Sequence, residues 1–335
     1  MIRIAVLGCG RIGRMHADNI VRHQDAELAM VFDVHAPSAR DVAETFAVAS
    51  ADSPEAIFAA TDVDAVLVAT ATPTHADYIE MAVAAGKPVL CEKPIDLSLD
   101  RVNQCAARIK GTQVPIQIGF NRRFDPGHRG ARDMVRSGEI GDLHQVIITS
   151  RDPEMPPRGY YEQAGGFLRD MTIHDFDLAR FMLDDEPVEV MAMAAGMIDP
   201  ALMRALNDHD TAMIVMRTAD GKQCHINNSR TAVYGYDQRV ELLGTKGMVQ
   251  SGNRRNDEIR RYSATASEVA SAYQFFFIER YAEAFMAELS AFIAAVESRT
   301  APEVGFNDGR KALILAEAAY RSIAESRLVH VDEIA

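Results

Sequence analysis

The side chains best suited to act together on a substrate are Lys93, Asp170 and His174. Lys93 stands in Glu92-Lys93-Pro94, directly after the apolar run Pro88-Val-Leu-Cys91, which reads as a buried strand leaving a parallel sheet. A lysine at such a carboxyl end can hydrogen-bond a substrate hydroxyl and stabilise negative charge growing on its oxygen. The plain alternative is a solvated lysine, and Pro94 weighs against it by stiffening the exit. Asp170, His174 and Asp177 fall at i, i+4 and i+7 of a helix expected over 168–183, so they share one face with Phe181. A carboxylate beside an imidazole favours the imidazolium and can fix one tautomer, as a general base for an alcohol proton requires. Equally, Asp170 could cap the helix and His174 be a satisfied core histidine. A metal site would need further ligands, and neither a nearby Cys nor an HExxH spacing supplies them.

A second chemistry opens the chain. An apolar strand runs into Gly8-Cys-Gly10-Arg11-Ile12-Gly13 and then into a helix. Gly8 permits the tight turn, Gly10 lets backbone approach a pyrophosphate, and Gly13 lets the helix lie close to the strand, so that helix N–H groups face phosphates. Asp33 ends the next strand, twenty residues after Gly13, where a carboxylate meets ribose hydroxyls. A dinucleotide is implied; a plain glycine-rich turn or another adenosyl cofactor is the alternative. Thr70, Ala71 and His75 follow the apolar run 65–69, and Asn121-Arg122-Arg123 follows a strand expected over 114–120. The arginines could donate to substrate hydroxyls, or bind the cofactor or a neighbouring carboxylate. Tyr234 and Tyr236 enter a later strand, where their hydroxyls could face a polyol.

Composition narrows the class. The chain has 335 residues, enough for two domains with separate cores, and 48% hydrophobic with 25% charged residues is ordinary for a globular protein. A net charge of −13 without a basic run argues against nucleic acid or an anionic membrane as partner. Cys9, Cys91, Cys105 and Cys224 are too scattered for a zinc cluster, which suggests a reducing compartment and no structural metal. The first apolar run is too short for a signal peptide and none is long enough to span a bilayer, so a cytoplasmic location is expected.

Strands and helices alternate through the first part, which predicts an α/β Rossmann domain over 1–120, a doubly wound parallel sheet with ligands at the strands' carboxyl ends. The rhythm then changes. Strands expected over 144–151, 188–197, 211–218, 223–229, 238–243 and 248–251, with turns at Asp220-Gly221 and Gly244-Thr-Lys-Gly247, predict an α+β domain over 121–335. Its sheet is expected to be open-faced and mostly antiparallel. Long helices over 275–298 and 307–325 close the chain.

These motifs together resemble the Gfo/Idh/MocA family of oxidoreductases, and within it the group acting on inositols. The resemblance covers nearly the whole chain. It rests on Gly8-Cys-Gly-Arg-Ile-Gly13 with His16 and Asn19, Ala69-Thr70 to His75, Glu92-Lys93-Pro94, Gly119-Phe-Asn-Arg-Arg-Phe-Asp-Pro126, Ser150-Arg-Asp-Pro153, and Gly165-Gly-Phe-Leu-Arg-Asp-Met-Thr-Ile-His-Asp-Phe-Asp177. It implies an NAD-dependent dehydrogenase that oxidises one ring hydroxyl of a cyclitol, myo-inositol to 2-keto-myo-inositol first. A dehydrogenase for scyllo-inositol, another inositol isomer or a pyranose sugar, and a non-catalytic NAD-binding sensor, are the alternatives. The family's catalytic lysine, aspartate and histidine fall on Lys93, Asp170 and His174. Polyol contacts fall on Arg123, Asp152, Asp177 and Tyr236, together with the catalytic three. Gly8, Gly10, Arg11, Ile12, Gly13, Asp33, Thr70, Ala71, His75, Glu92, Lys93 and Asn121 would line the cofactor, Asp33 selecting NAD by repelling the 2′-phosphate of NADP. Asn121 departs from the less polar residue expected in the inositol group. The resemblance also implies a homotetramer formed through the open sheet face.

Overall fold

The computed structural model describes residues 1–334, the side chains of residues 162 and 163 apart. The chain forms two compact units, Met1–Phe124 with Glu283–Leu313, and Asp125–Ala282 with Ile314–Ala335.

In the first unit six parallel strands run β1 (Ile2–Leu7), β2 (Ala26–Phe32), β3 (Ala49–Ser50), β4 (Ala65–Val68), β5 (Val89–Glu92) and β6 (Ile116–Gly119). Their spatial order is β3-β2-β1-β4-β5-β6, the doubly wound order that the alternating pattern predicts. Strand β4, and β1 from Ile4 onward, read as unbroken apolar runs because helices cover both faces of a parallel sheet. On one face α1 (Arg11–Arg22) sets Ala17 and Ile20 against Ile4, Val6, Leu67 and Leu90. Leu289, Phe292 and Ile293 of the helix Ala282–Ser298 join that same cluster, each contributing about 2 kcal/mol by leaving water. The expected domains, 1–120 and 121–335, do not include this return: an apolar helix face announces burial but not which core receives it. The helix expected over 275–298 is also broken. A short helix Phe277–Arg280 ends at Tyr281, and Arg280 is buried with its Nη1 donating to Asp125 Oδ2 at 2.5 Å.

The second unit holds β7 (Leu143–Arg151), β8 (Pro187–Ala195), β9 (Thr211–Thr218), β10 (Gln223–Ser229), β11 (Asp237–Gly244) and β12 (Gly247–Ser251), a small hairpin of β13 (Arg260–Arg261) and β14 (Val269–Ala270), and β15 (Val329–His330). The large sheet runs β12-β11-β7-β10-β9-β8-β15. Neighbours are antiparallel except β7 and β10, which pair in parallel at its centre. One face is buried: along β9, Ala212, Ile214 and Met216 point inward while Met213 and Val215 stay exposed. Ala192 of β8 donates its backbone N–H to Ser322 Oγ of the helix Phe306–Glu325, which lies on the buried side.

The helix expected over 168–183 is not uniform. Leu168–Thr172 is a π-helical turn that leads into α2 (Ile173–Leu183). Buried side chains hold it to the sheet: Thr172 Oγ1 donates to Asn228 Oδ1 at 2.8 Å, and Asn228 Nδ2 donates to Asp175 Oδ2 at 2.9 Å. No helix among the described residues is long and apolar enough to cross a membrane.

Candidate active site

Five consecutive strands of the first sheet deliver the expected cofactor residues to one edge. Gly8 follows β1, Asp33 follows β2, Thr70 and Ala71 follow β4, Lys93 follows β5, and Asn121 follows β6 in a short 3-10 turn that also holds Arg123. Gly8 has φ +96°, and a Cβ there would run into the Ala69 carbonyl. A Cβ on Gly13 would collide with the Gly8 carbonyl oxygen, so the close strand-to-helix approach requires glycine. Gly10 differs: a Cβ there meets nothing within 4 Å. No side chain caps α1, which begins at Arg11 and Ile12, and its first turn carries no acid. The positive end of the helix dipole is therefore left for an anion. Asp33 holds the loop in shape, its Oδ2 and Oδ1 accepting the backbone N–H groups of Cys9 and His35, each at 2.7 Å. An open Gly10, an uncapped helix and a carboxylate beyond β2 fit a dinucleotide.

The Lys93 turn is built on buried polar contacts. Glu92 Oε1 lies 2.8 Å from His16 Nε2 of α1, and its Oε2 accepts the Lys93 backbone N–H at 3.3 Å. Burial pushes the Glu92 carboxyl up, but the hydrogen bond and charge of His16, with Lys93 and His75, outweigh it and hold the group below the usual carboxylate range. The Lys93–Pro94 bond is cis. His75 ties two exits together, with Nδ1 2.8 Å from the Pro94 carbonyl and Nε2 3.0 Å from the Thr70 carbonyl. Burial nevertheless keeps its pKa below the ordinary value, so a neutral ring donates to one carbonyl at a time. Arg123 Nη2 donates to Asp308 Oδ1 at 3.0 Å, so this arginine binds a neighbouring carboxylate.

In the second unit Asp152, Asp170, His174, Asp177 and Tyr236 occupy the end of β7, the π-turn, the start of α2, its next turn and the entry to β11. The wide turn at 168–172 rotates Asp170 about the axis relative to an unbroken α-helix, so a shared face with His174 and Asp177 no longer follows from spacing alone. Asp177 is buried, with Oδ1 3.5 Å from Arg180 Nη1. The Tyr236 ring packs edge-on to Tyr281.

Sequence reasoning missed two partners of Asp170. Tyr160 donates its hydroxyl to Oδ1 at 2.7 Å, and Arg230 Nη2 donates to Oδ2 at 2.6 Å. Arg230 Nη1 also donates to Asp152 Oδ2 at 3.1 Å. Although burial by itself would lower its pKa, Asp170 and Asp152 hold the Arg230 guanidinium firmly protonated. Burial and the Asp170 charge likewise keep the Tyr160 phenol neutral. Nothing in the local pattern around Arg230 announces these bonds, because Arg230 and Asp170 lie sixty residues apart.

Residues 2–120 match the oxidoreductase family with an NAD-binding Rossmann fold, and residues 128–250 match the GFO/IDH/MocA C-terminal domain. The chain belongs to the Gfo/Idh/MocA oxidoreductase family. Its relatives in that family include an inositol 2-dehydrogenase of Rhizobium meliloti, 44% identical over 98% of this chain and 99% of the relative. A myo-inositol 2-dehydrogenase of Thermotoga maritima is 40% identical over 99% of each chain. Among solved structures of the family, a scyllo-inositol dehydrogenase of Lactobacillus casei with bound NAD(H) and scyllo-inositol superposes with a TM-score of 0.91, at 27% identity and 99% coverage of each chain.

Proposed function

We propose that this Gfo/Idh/MocA member is an NAD-dependent inositol 2-dehydrogenase that oxidises one ring hydroxyl of a cyclitol, with myo-inositol giving 2-keto-myo-inositol. The observation that carries this reading is full-length similarity, at 44% and 40% identity, to an inositol 2-dehydrogenase and a myo-inositol 2-dehydrogenase. The uncapped helix N-terminus behind Gly8, Gly10, Arg11, Ile12 and Gly13 would hold the pyrophosphate, and Asp33 would take the ribose hydroxyls and repel a 2′-phosphate. Thr70, Ala71, His75, Glu92 and Asn121 complete the cofactor edge in this reading. NAD, when bound, supplies the hydride acceptor.

Within this reading, His174 takes the proton from the hydroxyl being oxidised, and Lys93 donates to that oxygen as negative charge grows on it. Asp170 orients His174 or relays the proton. Arg123, Asp152, Asp177 and Tyr236 are assigned to holding the ring, Arg123 while paired with Asp308. The exposed methionine-rich face of the second sheet joins copies of the chain into a homotetramer, and the four free, buried cysteines suit the reducing cytoplasm where we place the protein.

The test is turnover. Purified protein is mixed with NAD or NADP and a panel of myo-inositol, scyllo-inositol, D-chiro-inositol and glucose, following reduced-cofactor absorbance. NAD with myo-inositol is expected to give the highest kcat/KM. Lys93→Ala and His174→Ala should each lower kcat by about a hundredfold or more while leaving NAD affinity within about threefold. Preference for another polyol overturns the substrate, and NAD binding without turnover on any of them overturns the enzyme reading in favour of a sensor.

A further inference from the structure

A buried arginine joins two of the carboxylates assigned above. Arg230 is the first residue past β10, and Asp152 the first past β7. These strands are parallel neighbours with Ser229 opposite Arg151, and Asp152 donates its N–H to the Ser229 carbonyl at 2.9 Å. The two side chains therefore leave adjacent strand ends together. Arg230 is only 4% exposed and lies 5.7 Å from the Tyr161 ring centroid and 5.4 Å from that of Phe167. Its two terminal nitrogens divide between Asp152 and Asp170, and the second Asp170 oxygen takes the Tyr160 hydroxyl. Protonating Asp170 would weaken both bonds, because a neutral carboxyl accepts less strongly than a carboxylate from a guanidinium and a phenol. With both acids ionised the cluster carries one net negative charge, since two carboxylates face one guanidinium.

We infer that Arg230 is a positioning residue that locks Asp170 as a permanent carboxylate and fixes Asp152 beside it, so that Asp170 serves the reaction by charge and orientation and never carries the proton. This rests on the proposed dehydrogenase function. The hydroxyl proton then goes to His174 and from there to solvent, while the hydride goes to NAD, which balances the oxidation. A net negative cluster favours the imidazolium that forms. The arrangement also separates two effects of Arg230: through Asp170 it acts on kcat, and through Asp152 on substrate KM.

The experiment is a mutant cycle of Arg230→Met, Asp170→Asn and the double variant, with Arg230→Lys as the charge-retaining control, measured with the cyclitol that the wild type oxidises. Arg230→Met is expected to lower kcat by about thirtyfold or more, yet to lower it less than about threefold in the Asp170→Asn background. The acid limb of the kcat/KM profile should move up by about one pH unit in Arg230→Met and stay in place in Arg230→Lys. Independent losses that multiply in the double variant, or an unmoved acid limb, overturn the inference. Should Arg230→Met fail to fold, Arg230→Gln, which also removes the charge, takes its place in the cycle with the same criteria. One readout needs no turnover: infrared difference spectra of wild type against Asp170→Asn, from about pH 5 to 8, are expected to contain no protonated Asp170 carbonyl band. Such a band sinks the inference whether or not any cyclitol is oxidised, whereas an inactive wild type without the band sinks only the functional reading.

Discussion

Glu288 is fully buried on the helix Ala282–Ser298, and neither of its carboxyl oxygens has a hydrogen-bond partner. Gln117 of β6 donates to its backbone carbonyl at 3.0 Å, and Phe285, one turn earlier, packs edge-on against His16. The acid therefore sits near the Glu92–His16 pair beneath the Lys93 turn. Burial, and then the Glu92 charge, push the Glu288 carboxyl well above its ordinary value of 4.5. The folded protein thus keeps a proton that the unfolded chain releases as pH rises past that value. The stability that this group lends is complete below about pH 4.5 and is lost as pH rises towards the folded-state pKa. Glu288→Leu removes both the titration and an unsatisfied polar group. It should raise stability by about 1 to 3 kcal/mol at pH 8, with the advantage shrinking towards pH 5, in urea denaturation followed by circular dichroism. Parallel curves for the two proteins across that range would mean that Glu288 finds a partner in solution and is not held neutral.

At the scale of the element, the β1 turn and α1 separate two reasons for glycine. Gly13 is required by the fold, because its Cβ would meet the Gly8 carbonyl, whereas a Cβ at Gly10 meets open space at an ordinary negative φ. Gly10→Ala should therefore leave the melting temperature within about 2 °C while weakening NAD at least about tenfold, and Gly13→Ala should lower both. Calorimetric titration with NAD beside thermal melts decides it; a Gly10→Ala protein that binds NAD normally would remove the pyrophosphate from this loop. This strand-turn-helix was legible in sequence because its constraints are local: period, glycine position, and Asp33 at the next strand end. The π-turn at 168–172 was not. Leu168 to Leu183 has the composition of one continuous helix, and the buried contacts of its start lie elsewhere, where Thr172 and Asp175 reach Asn228 of β10. The candidate Asp170 and His174 could be named from their types, but the partners of Asp170 could not, since a strand end sixty residues later supplies Arg230.

For the whole molecule, the same distinction between local and returning constraints explains which large features were readable. Alternation along β9 announces a sheet with one buried and one bare face, and the hairpin turns announce its antiparallel pairs. The parallel pairing of β7 with β10 and the return of 283–313 to the first unit depend on contacts made late in the chain. The bare face is where assembly can be tested. Met193 lies opposite Met213 and Met191 opposite Val215 on neighbouring strands, with Met193 72% and Met213 58% exposed. Single exposed hydrophobics need no explanation, but a contiguous cross-strand set on a flat sheet face gains by leaving water against another copy of itself. Light scattering during size-exclusion chromatography should find four chains for the wild type. Met193→Glu/Met213→Glu should shift it to a smaller species, because like charges would then face one another across the contact and remain unpaired on burial. A wild type that elutes as a single chain would overturn the tetramer, and a double variant that keeps all four chains would place assembly on some other surface.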